Sequence, residues 1–74
     1  MNTHGVVLFH TTSSAVRAEK TLVERGFAVK LIPTPRQFSS DCGIALRFDW
    51  SQAKQVKALL DAARVEIAAV HPLV

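Results

Sequence analysis

Apolar residues along this chain switch between a strand-like period of two and a helix-like period of about 3.6, in an order that leaves few folds open. Gly5–His10 (Gly-Val-Val-Leu-Phe-His) is an apolar run of strand length. Thr11, Thr12, Ser13 and Ser14 follow, hydroxyl residues of the kind that cap a helix; no Glu or Gln three residues on completes a capping box, so the boundary is soft. Ala15, Ala18, Leu22 and Val23 then recur at helical spacing, with Arg17, Glu19, Lys20 and Glu24 on the remaining faces. Glu24-Arg25-Gly26 ends that helix, because glycine takes the left-handed conformation without penalty. Ala28–Pro33 sets Val29 and Leu31 on one side and Lys30 on the other, a strand whose end, but not whose paired interior, suits Pro33. Thr34–Asp41, with Pro35, Ser39 and Ser40, is a loop. Gly43–Asp49 alternates Ile44, Leu46 and Phe48 against Ala45, Arg47 and Asp49. Asp49 with Gln52 resembles a capping box and opens a second helix, whose stripe is Ala53, Val56, Leu59, Leu60 and Ala63 and whose Lys54 and Lys57 face solvent. Val65–His71 is a last strand, stopped by Pro72.

Strand, helix, strand, strand, helix, strand is the order of a ferredoxin-like α+β sandwich, an antiparallel four-stranded sheet with two helices on one face. The right-handed crossover rule gives strand order 4-1-3-2. A chain of 74 residues makes one such domain, residues 1–74. A domain of this size buries only about 60% of the surface of its unfolded chain. Disulfides cannot compensate, since Cys42 is the only cysteine, so stability rests on a composition that is 49% hydrophobic and 20% charged. That composition also excludes a disordered acidic or basic tail.

The topology brings distant residues together. Strands 1 and 3 are antiparallel neighbours, so the end of the first lies beside the start of the third. Cys42 is thereby expected near His10 and the N-terminus of the first helix, although about thirty residues separate them. A helix N-terminus and nearby cations lower a thiol pKa from about 8.5 into a range of roughly 3.5–7.5. Candidate contributors are the amides of Thr12–Ala15, the hydroxyls of Thr11 and Thr12, the guanidinium of Arg36, and His10, which could polarise the thiol as in a Cys–His pair. Gly43 would allow close backbone approach or a strained turn that exposes the sulfur. Asp41 argues the other way, because an adjacent carboxylate raises a thiol pKa. The competing reading makes Cys42 a small buried hydrophobe at a strand start, Arg36 a solvated loop arginine and His10 a strand-end histidine bonded to backbone.

Other classes lack their residues. His4, His10 and His71 have no ligand spacing, and one cysteine cannot build a closed zinc site, so neither metal nor cofactor is expected. There is no nucleophile elbow. RNA-binding domains of this topology stack bases on aromatics of strands 1 and 3; here strand 3 is Gly-Ile-Ala-Leu-Arg-Phe-Asp, the chain has no Tyr, and Phe9 and Phe48 are expected in or beside the core. The net charge of +3 is a small excess, and Lys54, Lys57 and Arg64 read as a solvated helix face, so nucleic acid is disfavoured as a partner. The N-terminus has no basic segment and too short an apolar run for a signal peptide or spanning helix, and a lone thiol fits a reducing compartment; the expectation is a cytoplasmic protein without a membrane partner. Pro33 and Pro35 shape the hairpin loop, with a cis bond left open.

Phe9-His10-Thr11-Thr12, Ala15 with Ala18-Glu19, Leu31-Ile32-Pro33-Thr34-Pro35-Arg36, and Ser39-Ser40-Asp41-Cys42-Gly43 with Ala45-Leu46-Arg47-Phe48 together resemble a family of short bacterial proteins, the selenium/sulfur-carrier-like family. The resemblance runs from about Gly5 to Val70, and its Pro-Thr-Pro-Arg and Ser-Ser-x-Cys-Gly segments are its specific part. It implies a role for the Cys42 thiol as acceptor of a terminal sulfur or selenium atom, held as a persulfide or selenosulfide. A donor and an acceptor protein are then the expected partners, with a homo-oligomer left open, and the protein would be a carrier more than a turnover enzyme. The alternative is a non-catalytic interaction or regulatory module in which Cys42 is merely buried and the open sheet face around Arg47 meets a partner.

Overall fold

Four strands and two helices follow one another as β1 (His4–Leu8), α1 (Thr12–Glu24), β2 (Lys30–Pro33), β3 (Ile44–Asp49), a short 3-10 turn at Trp50–Gln52, α2 (Ala53–Ala62) and β4 (Ala69–Leu73). They come from a computed structural model that describes residues 3–38 and 42–73. The sheet is antiparallel throughout, in the order β2-β3-β1-β4, which is the expected 4-1-3-2 read from the other edge. Both helices cover one face, so the fold is ferredoxin-like.

The core lies between helices and sheet. Val7, Phe9, Leu46 and Phe48 project from β1, the residue after it and β3 onto Ala15, Ala18 and Leu22 of α1 and Val56 and Leu60 of α2. Each large apolar side chain so buried contributes about 1.5–3 kcal/mol. Phe9 and Phe48 are fully buried here, as the sequence predicts, and offer no platform for stacked bases. Val23 does not join its expected stripe: it is 54% exposed, because it sits about 100° around the helix from Leu22, on the solvent side. Arg17 of α1 reaches across to α2, its Nη2 donating to the carbonyl of Ala63 at 3.1 Å, a cation on a helix C-terminus.

Helix ends are built locally. Thr11 is the N-cap of α1; its Oγ1 accepts from the Ser14 amide at 3.2 Å. Asp49 caps the 3-10 turn, not α2: Oδ1 accepts from the Ser51 amide at 3.0 Å and the Ser51 hydroxyl at 2.9 Å. These bonds, the hydroxyl one foremost, hold the Asp49 carboxyl below its ordinary value of 3.8. Gln52 precedes α2 without a side-chain cap bond, so the expected capping box is absent. Both helices close with the same pair of bonds. In α1 Phe27 N–H donates to Leu22 O and Gly26 N–H to Val23 O; in α2 Val65 N–H donates to Leu60 O and Arg64 N–H to Asp61 O. This Schellman closure needs a left-handed residue, supplied by Gly26 (φ 86) in one helix and by Arg64 (φ 57) in the other.

Strand limits differ from the expectation mainly at the last element. β1 is two residues shorter at its end, and β2 starts at Lys30, not Ala28. β4 starts at Ala69 and runs through Pro72 to Leu73, where the sequence suggested Val65–His71 with Pro72 as a stop. Pro72 is tolerated because β4 is an edge strand. The Trp50 amide donates to Thr3 O, which aims the odd-numbered residues of β1 at β3 and the even-numbered ones at β4; Pro72, opposite Gly5, thus turns its nitrogen to the free edge. The Thr34 amide donates to Gly43 O, which by the same alternation turns Pro33 outward on β2. No cis peptide bond occurs among the described residues.

The helix-free face is not bare. Val6, Leu8 and Ala45 are buried on it, packed against Ile32, Phe38, Ala69 and Leu73. Phe38, from the β2–β3 loop, stacks on His71 of β4 with ring centroids 4.6 Å apart and planes 9° apart. The open sheet face of the interaction-module reading is therefore closed at its centre by an aromatic from the loop. On the helix side, Trp50 lies over Gly5 and beside Phe48, ring centroids 6.0 Å apart.

Candidate functional site

Cys42 stands just before β3, at the end of the sheet where β1 gives way to α1. Its backbone is held by the closing pair of the β2–β3 hairpin: Thr34 Oγ1–H donates to Cys42 O at 2.9 Å, and Thr34 N–H to Gly43 O at 3.0 Å. Its side chain turns inward and belongs to the same buried cluster as Val7, Phe9, Ala15 and Ala18. Phe38, four residues earlier in sequence, packs on the opposite face of the sheet.

The contact expected from topology is present. Thr12 Oγ1 lies 3.7 Å from Cys42 Sγ, across thirty positions of sequence, and Thr12 is the first residue of α1. The first amides of a helix lack intrahelical acceptors and carry the positive end of the helix dipole. No acidic residue lies in the first turn of α1 to oppose it. The sulfur thus sits at a helix N-terminus with a hydroxyl in weak hydrogen-bond range. It is also buried: Cys42 is only 4% exposed.

The other predicted residues fall out as follows. Thr11 is engaged as the N-cap, its hydroxyl donating to Ser14 Oγ at 3.1 Å as well as accepting from the Ser14 amide. His10 is exposed and lies two residues beyond β1, at the Cys42 end of the sheet. Arg36 is exposed in the Pro35–Phe38 turn, which Phe38 N–H closes onto Pro35 O at 3.0 Å. Gly43 is exposed, its φ is not in the left-handed region, and a Cβ built there meets nothing within 4 Å. Neither strain nor internal crowding therefore requires glycine at that position. Ser39, Ser40 and Asp41, with the expected opposing carboxylate, lie outside the described residues. One residue that holds the site was read from the sequence only as loop: Thr34, whose side chain fixes the Cys42 carbonyl. Phe38, a lone aromatic in the same Pro- and Ser-rich segment, was read as loop too and covers the helix-free face.

A ferredoxin-like domain with a single inward-facing thiol at the start of its first helix is the class that fold and site define. The family described as "Putative Se/S carrier protein-like" matches residues 4–72, and the chain belongs to it. No curated protein and no solved structure matches the chain. No helix among the described residues is long and apolar enough to cross a membrane.

Proposed function

We propose that the protein carries a sulfur or selenium atom on Cys42, as a persulfide or selenosulfide, in the reducing cytoplasm. The observation that carries this reading is the 3.7 Å approach of Thr12 Oγ1 to Cys42 Sγ at the N-terminus of α1. The family description agrees with it. In the loading step the Cys42 thiolate attacks the outer sulfur of a donor persulfide. A new S–S bond forms at Cys42, the donor S–S bond breaks, and its electron pair leaves on the donor thiolate. Unloading is the same exchange with an acceptor thiolate as nucleophile, so no outside oxidant or reductant enters. Selenium follows the same course with a Se–S bond. Thr12 and the first amides of α1 stabilise the terminal anion, Arg36 supplies positive charge and His10 a hydrogen-bonding imidazole at the mouth, and Gly43 leaves space for a partner's backbone. A donor and an acceptor protein are the partners.

Loading is read directly by intact mass. After exposure to a small-molecule persulfide donor, the native protein is expected to gain one sulfur atom, which a thiol reductant removes. A Cys42→Ser variant that gains sulfur equally well would end the reading. The 4% exposure of Cys42 favours a second one, an interaction module with a structural cysteine. In that case native Cys42 resists both persulfide and alkylating reagents until denaturant is added.

A further inference from the structure

The strand register sets two cations face to face. Lys30 of β2 is the direct partner of Arg47 of β3, and both lie on the helix-free side, sharing a face with Ile32 and Ala45 respectively. Like charges directly opposite in an antiparallel pair destabilise the sheet. Among the described residues neither has an ion-pair partner that would relieve the repulsion. The two side chains, with His4, Asp49, Ala28 and Val29, line a cleft of about 310 Å³. That volume is at the lower end of small-molecule sites. Asp49 is the sole carboxylate in the lining; its Oδ1 accepts from the Ser51 amide and hydroxyl, which keeps it ionised, so one negative charge stands against the two cations and the lining keeps a net positive charge. Arg47 is five residues along the chain from Cys42, a distance of about 16 Å in extended backbone, so the cleft is separate from the thiol.

We propose that this cleft binds a small ligand bearing a tetrahedral phosphate-type oxyanion. The Arg47 guanidinium can fork two oxygens of such a group, and the Lys30 ammonium adds a point charge beside it. A dianion between them converts a repulsive pair into two attractive ones, which gives a physical reason for leaving both cations there. Nucleic acid fits less well: the cations occupy one corner, and the centre of that face is the apolar cluster of Val6, Leu8 and Ala45 beneath Phe38. The inference stands whether or not Cys42 carries a chalcogen.

The test is a titration of the full chain with inorganic phosphate, followed through backbone amide NMR shifts. Saturable shifts confined to the segments around residues 4, 28–30 and 47–49 are expected. Lys30→Gln and Arg47→Gln, which keep the aliphatic stems, each weaken binding about tenfold or more. Phosphate should raise the unfolding temperature of the native chain and leave the double variant unmoved. The double variant without phosphate should unfold no earlier than the native chain, since its repulsion is gone. A phosphate monoester that binds more tightly than inorganic phosphate identifies an organic phosphate as ligand, and equal affinity identifies the free ion. Shifts that are absent, that are scattered over the surface or that persist in the double variant overturn the proposal. So does binding of a polyglutamate peptide where phosphate fails, which would make the cleft a docking point for an acidic protein.

Discussion

At Gly5 one missing methyl group lets the first strand lie under an indole. A Cβ there would run into Trp50 Cε3 and come within 2.8 Å of Phe48 Cζ, two rings that are themselves packed together. Gly5→Ala must therefore push Trp50 off the strand, and overpacking of this kind costs about 1–3 kcal/mol. A lowered denaturation midpoint with a shifted Trp50 emission is the expected result, and an unchanged emission would mean the ring is not held there. Nothing in the sequence marked Gly5, because its role depends on a tryptophan 45 positions away. Cys42 is the opposite case. Its meeting with Thr12 follows from strand order alone, since antiparallel β1 and β3 must bring those ends together. What the sequence left open was the inward turn of the sulfur, which depends on the packing of Phe9 and Ala15 and not on any local pattern.

The elements themselves were legible wherever their signals are local. The α1 stop was readable because Gly26 is the residue a left-handed position prefers. The α2 stop uses the same bonds around Arg64, which carries no such mark. An ordinary side chain in that region costs about 1 kcal/mol or more, while glycine costs about 0.5–1 kcal/mol of extra chain entropy. Arg64→Gly is accordingly expected to leave stability unchanged or raise it by up to about 1 kcal/mol. Gly26→Ala should lower stability by about 1 kcal/mol, with no entropy effect large enough to reverse the sign. Opposite responses in chemical denaturation would establish that the two closures share a geometry, and equal losses would refute it. Pro72 misled the reading of β4 for a related reason. A proline stops a strand that is paired on both sides, and only the assembled sheet reveals that β4 is paired on one.

For the whole molecule the sheet can be regarded as a short polymer with two growing ends. Another strand can add at either edge only through outward-facing amides, and β2 and β4 each have two outward positions, Leu31 and Pro33 on one, Val70 and Pro72 on the other. One of each two is proline, so both ends carry a chain terminator. Restoring the amide at one end, by Pro33→Val or Pro72→Val, reopens a single end, and the largest product is then a dimer joined edge to edge. Restoring both gives every copy two live ends, the condition for open-ended growth into filaments. Sedimentation velocity separates these outcomes, and a double variant that stayed as dispersed as either single one would show that the prolines are not the terminators. Under the proposed carrier role, in which one thiol meets successive partners, remaining a single link keeps that thiol within reach of each.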